Sequence, residues 1–64
     1  MKVNGEMISL GESISLKNFL ENSGYMTGKV AVELNGNIVP KSSFESTMLT
    51  EADTLEIVHF VGGG

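Results

Sequence analysis

Three consecutive glycines, Gly62, Gly63 and Gly64, close the sequence directly after the apolar run Val58-His59-Phe60-Val61. The group there with chemistry to offer is the terminal carboxylate. A run without Cβ atoms is thin and takes up almost any backbone conformation, which suits threading into a narrow pocket better than packing on a core. At about 3.3 to 3.6 Å per residue, the four residues from Val61 onward reach roughly 13 Å past the preceding segment. The expectation is a domain that presents its C-terminus inside another protein; the competing reading is a frayed end or an added linker. An α-carboxyl group ionises near a pKa of about 3.3 to 3.7, so Gly64 is an unreactive anion at neutral pH and needs activation before a nucleophile can attack it. Once activated, a glycine carbonyl is open on both faces.

The remaining residues offer little competing chemistry. The chain has no cysteine, which removes disulfides, thiolate metal sites and a nucleophilic thiol of its own. His59 is the lone histidine: as a general base it would sit beside the tail, and as an ordinary strand residue its ring would contact a neighbour or a partner. Glu51 and Asp53 read either as paired carboxylates or as residues solvating a turn. Met1, Met7, Met26 and Met48 are scattered, and read as gap-fillers rather than a cofactor-binding stripe. With no base, nucleophile, metal site or bound cofactor expected, the chain reads as a protein cosubstrate and not an enzyme.

Size and charge agree. Sixty-four residues make one small domain with little room for an internal active site. A hydrophobic share of 41% with 19% charged residues describes a chain that folds. Its net charge of −4 argues against nucleic acid and favours a partner with a basic surface. No apolar stretch approaches the roughly 20 residues needed to cross a bilayer, and no segment resembles a signal peptide, so the expected location is the cytoplasm without membrane attachment.

The elements that must position the tail follow from local signals. Asn4-Gly5 predicts a tight hairpin turn between two short strands within Met1 to Leu10. Ser15 predicts a helix N-cap, with Ile14 and Phe19 as a hydrophobic staple and Gly24 as the stop, giving a helix over about residues 16 to 23. Val30 to Leu34 alternates as a half-buried strand; Asn35-Gly36 is a second hairpin turn, and Ile38-Val39 the return strand closed by Pro40. Ser42 to Thr47 reads as a turn or one short helical turn. Thr54 to Phe60 is the last strand, and the tail leaves from it. Its alternation sets Val58 and Phe60 opposite Leu55 and Ile57, on the face that also carries Ala31 and Glu33. Val58 and Phe60 are therefore expected to form an exposed docking patch with Glu33 and Glu56 as rim charges, unless a loop covers that face or the register shifts.

Hairpin, helix, strand, short strand, strand is an α+β order. It resembles the β-grasp arrangement of ubiquitin-like proteins: a mixed sheet of about four to five strands, one main helix on one face, and the last strand inserted centrally. The expected division is a β-grasp domain over residues 1–60 and a flexible glycine tail over residues 61–64. Taken together, Val32-Glu33-Leu34-Asn35-Gly36, Ile38-Val39-Pro40 and Glu56-Ile57-Val58-His59-Phe60-Val61-Gly62-Gly63-Gly64 resemble the sulfur carrier proteins of thiamine biosynthesis, the ThiS family, over essentially the whole chain.

That resemblance implies a cycle. An adenylyltransferase related to ubiquitin-activating enzymes uses ATP to turn the terminal glycine carboxylate into an acyl adenylate. Sulfur from a cysteine desulfurase replaces the adenylate, and the resulting thiocarboxylate is delivered to thiazole synthase. Gly64 matches the sulfur-bearing position, with Gly63 and Gly62 as its approach; the family needs two terminal glycines, so Gly62 is read as spacing. The same features fit the small subunit of molybdopterin synthase, a carrier for another sulfur-containing metabolite, or a ubiquitin-like modifier joined to lysine amines. An interaction domain with inert glycines stands as the reading from a different class.

Overall fold

In the computed structural model, residues 1–60 are described. The two Asn-Gly pairs set the sheet. Asn4 and Gly5 have φ of 50° and 86°, and Asn35 and Gly36 have 52° and 87°. Two successive left-handed residues make a turn whose twist matches that of paired strands, and asparagine followed by glycine meets that demand at the least steric cost. The first turn joins β1 (Lys2–Val3) to β2 (Glu6–Met7), pairing Lys2 with Met7 and Val3 with Glu6.

Helix α1 (Leu16–Asn22) follows directly on the two-residue strand β3 (Ile14–Ser15). The expected cap is present: the Ser15 hydroxyl oxygen accepts from the Asn18 N–H at 3.1 Å. Two further free N–H groups of the first turn are taken by one loop, Leu16 donating to the Thr47 carbonyl at 2.7 Å and Lys17 to that of Phe44 at 3.0 Å. The helix ends at Asn22 with Ser23 as its C-cap. Gly24, at φ 87°, allows Gly24 and Tyr25 to donate to the Glu21 and Leu20 carbonyls at 3.1 and 2.9 Å. These two crossed bonds close the carbonyl end of the helix. Leu16 and Leu20 are fully buried, and Ile14 and Phe19, the expected staple residues, both pack against the core.

A short 3-10 turn (Thr27–Lys29) leads into β4 (Val30–Leu34), and the second Asn-Gly turn returns the chain as β5 (Asn37–Ile38). This return strand sits one residue earlier than the expected Ile38-Val39; Val39 still donates to the Val32 carbonyl at 2.9 Å before Pro40 ends the pairing. A second 3-10 turn (Lys41–Ser43) begins one residue before the segment Ser42 to Thr47 read as a turn, and turn structure continues over residues 44–46. The pattern gave no hint of β6 (Met48–Leu49), which pairs antiparallel with β3 as a separate small sheet. A two-residue pairing is too short to carry a period.

The last strand, β7 (Thr54–His59), runs through the middle of a five-stranded mixed sheet of order β2-β1-β7-β4-β5. It is parallel to β1 and antiparallel to β4. One main helix, a mixed sheet and a central last strand make this the β-grasp fold. Leu55 and Ile57 of β7 join Val30 and Val32 of β4 in a core completed by Met1, Leu16, Leu20, Phe44 and Leu49. Of the four methionines expected to fill gaps, Met1 alone does so. Met7, Met26 and Met48 are exposed: Met7 and Met48 lie on two-residue strands, and Met26 caps the 3-10 turn Thr27–Lys29.

Candidate functional site

The tail is carried by β7, so the site begins with how that strand is held. At its start, Asn35 Nδ2 donates to Asp53 Oδ1 at 3.0 Å, the Thr50 N–H donates to Asp53 Oδ2 at 2.8 Å, and the Thr54 N–H donates to Asn35 Oδ1 at 2.9 Å. These bonds to the charged form, that from Asn35 foremost, hold the Asp53 carboxyl below its ordinary range. Along its middle, pairing with β1 runs out after Val3 and Leu55. The Ile57 N–H that would be left over donates to Asn4 Oδ1 at 2.7 Å. Both turn asparagines thus serve twice, bending a hairpin and satisfying the central strand from either side. Glu51 is occupied elsewhere: its Oε1 accepts from the Leu10 N–H at 2.6 Å, the leading cause of its lowered pKa. Glu51 and Asp53 therefore serve separate structural bonds, and the paired-carboxylate reading has no geometry behind it.

Alternation along β7 divides it as expected. Leu55 and Ile57 face the helix, while Glu56 and Val58 face away, with Val58 60% exposed. Direct cross-strand partners complete the outer surface, Ala31 opposite Val58 and Glu33 opposite Glu56. The register adds two residues that the sequence reading left out. Ile38 stands opposite Glu33 and is 67% exposed, and Met7 stands opposite Lys2, whose other partner is Thr54. The open face of the sheet therefore carries Met7, Lys2 and Thr54 at one side and Glu56, Val58, Ala31, Glu33 and Ile38 across the rest. The two-residue turn at Asn35-Gly36 already fixed Ile38 against Glu33, so that signal was available. Glu33 and Glu56 lie face to face, an arrangement of like charges that costs stability in an exposed pair.

Phe60 behaves differently from Val58. It is half-buried, its N–H donates to the Lys29 carbonyl at 3.1 Å, and the Lys41 ammonium lies 4.6 Å from its ring centroid. A cation over an aromatic face is attracted by the ring quadrupole, so Phe60 is held in place at the root of the tail. His59 points to the other side, its ring 5.3 Å from that of Tyr25 at an interplanar angle of 31°. That is a packing role. Gly62, Gly63 and Gly64 lie outside the described residues. Among the described residues, no three histidine, cysteine or carboxylate side chains converge as metal ligands, and no helix is long and apolar enough to cross a membrane.

Comparison with known proteins gives the family. The model of the ThiS family matches residues 1–64. A protein named sulfur carrier protein ThiS, from Bacillus subtilis, is 49% identical over 35 residues, which is 55% of this chain and 53% of the relative. A thiazole synthase of Paramagnetospirillum magneticum is 44% identical over 62 residues, 97% of this chain but 19% of the relative. Among solved structures, the crystal structure of a thiamine biosynthesis protein (ThiS) from Geobacter metallireducens superposes with a TM-score of 0.79 at 30% identity, covering 98% of this chain and 96% of that one.

Proposed function

This chain belongs to the ThiS family, and we propose that it is a sulfur carrier whose Gly64 carboxylate is converted to a thiocarboxylate and spent in making the thiazole of thiamine. The observation that carries this reading is the family match over residues 1–64 of a sequence that ends in three glycines. In the proposed cycle, a carboxylate oxygen of Gly64 attacks the α-phosphorus of ATP within an adenylyltransferase of the ubiquitin-activating type, and pyrophosphate leaves. The outer sulfur of a persulfide formed by a cysteine desulfurase then attacks the carbonyl carbon and displaces AMP, and a thiol reductant cleaves the S–S bond of the resulting acyl disulfide to leave the thiocarboxylate. ATP is bound by the partner and consumed there, in the cytoplasm, and the chain takes part as cosubstrate.

The body of the domain supplies recognition. Val58, with Ile38 beside Glu33 and Glu56, offers an apolar surface carrying two carboxylates, and a partner's cation placed between Glu33 and Glu56 would relieve their mutual repulsion. Phe60, fixed by Lys41 and Lys29, sets where Val61 to Gly64 start.

Thiazole synthase is the proposed acceptor. The relative of that name contains a segment matching 97% of this chain within a polypeptide of which the segment is 19%. A carrier joined to its acceptor meets it at a high effective concentration, which is the physical advantage of such a union. The test is to incubate the thiocarboxylate form with thiazole synthase and its small-molecule substrates, and to follow intact mass. Return to the carboxylate mass is expected, with no discharge by the large subunit of molybdopterin synthase. Discharge by the latter and not the former would reassign the acceptor.

A further inference from the structure

The chain is acidic as a whole, yet the end of the sheet where β7 finishes has the opposite sign. Three of the four lysines gather there. Lys17 and Lys41 line one open cleft together with Thr27, Ser42 and Glu45, and Lys29 closes the 3-10 turn whose Thr27 and Gly28 form part of the same wall. Glu45 is the carboxylate among the lining residues, and it is paired with Lys17 at 3.6 Å. Among the described residues, neither Lys29 nor Lys41 has a carboxylate partner within 4.0 Å. Both are exposed, and both attend Phe60: Lys29 through its carbonyl, Lys41 through its ammonium. The remaining lysine, Lys2, lies on β1, paired with Met7 and Thr54.

Resting on the carrier reading above, we infer that Lys29 and Lys41 form a cationic collar at the root of the tail that docks on a carboxylate-lined entrance of the adenylating partner. Reach decides between this occupant and the nucleotide phosphates. Four fully extended residues span at most roughly 13 Å, and the reacting carboxylate must stand next to the α-phosphate, so lysines at Phe60 would meet the partner's surface up to that distance from the phosphates. The overall charge of −4 would favour a basic partner, and the collar inverts that preference at one place. Opposite signs on the open face and at the collar orient the domain during encounter, so that the glycines arrive first.

The experiment measures the affinity of the full chain for the adenylating enzyme, without and with ATP, at low and at high salt, for the wild type, Lys29→Gln/Lys41→Gln, Lys29→Arg/Lys41→Arg and Lys2→Gln. The glutamine pair should bind about three- to tenfold more weakly at low salt, with the deficit shrinking as salt rises, because charges at an interface edge act through screened Coulomb attraction. The arginine pair should bind like the wild type, and Lys2→Gln should differ little. Equal binding and an equal salt dependence for the glutamine pair would overturn the collar. So would a deficit seen only with ATP present, which would assign the lysines to the nucleotide. Sulfur loading of the wild type is scored alongside by intact mass: its absence refutes the carrier reading itself, while normal loading with unaltered binding of the glutamine pair refutes the collar alone.

Discussion

The two faces of β7 are built from neighbouring residues and do opposite work. Leu55 and Ile57 are sealed against Leu16, Leu20 and the β4 valines, whereas Glu56 and Val58 look outward with nothing over them. In a small domain with a thin core, every apolar side chain left outside forgoes stabilisation. The exposed Val58 and Ile38, beside two carboxylates set face to face, are the surface that the proposed carrier function assigns to a partner, while the inner face is given over to folding.

Breaking the inner face should have the largest effect. Leu55→Ala empties a fully buried site and should cost about 2 to 5 kcal/mol, as leucine truncations in cores do. A domain of this size has a total stability on the order of 3 to 10 kcal/mol, so urea denaturation should find the variant close to unfolded or with a much lower midpoint. The matching change on the outer face, Val58→Thr/Ile38→Thr, keeps the β-branched shape and removes apolar surface. Its stability should stay within about 1 kcal/mol of the wild type, while affinity for the adenylating enzyme falls by roughly 1 to 2 kcal/mol, about five- to thirtyfold. If the two pairs of measurements moved together, the division of labour along β7 would be wrong.

The division is sharpened by acid. Asp53 anchors the start of β7 on the folding side, and its carboxyl is held below its usual value of 3.8 by Asn35 and then by the Thr50 N–H. A carboxyl whose pKa is depressed in the folded state contributes stability above its unfolded pKa and loses it as pH falls through the lower, folded one. Asp53→Asn should thus melt below the wild type at neutral pH, and the gap between their Tm values should close below the ordinary carboxylate range. Both proteins will share a further acid loss from Glu51, whose carboxylate the Leu10 N–H favours.

Much of this was legible beforehand because it rests on short-range rules. Asn4-Gly5 and Asn35-Gly36 announce their turns by steric tolerance, Ser15 and Gly24 bound the helix by satisfying its end groups, and alternation in Thr54 to His59 separates the two faces. What stayed hidden depends on distant partners. Met48-Leu49 is a strand because Ile14-Ser15 lies beside it, and Asn4 meets Ile57 across a span of 53 residues. The gathering of Lys17, Lys29 and Lys41 around one cleft is likewise a product of the fold, invisible to a net charge. The glycine tail was the reverse case, plain in sequence and lying outside the described residues.

The account stands or falls on the terminal carboxylate. The intact mass of the chain should be measured after incubation with ATP, an adenylating enzyme shown to be active, a cysteine desulfurase and cysteine. The account predicts a gain equal to one sulfur less one oxygen, abolished by deleting Gly64 and retained in Asp53→Asn. An unchanged mass in the wild type, or an equal gain without Gly64, would contradict it.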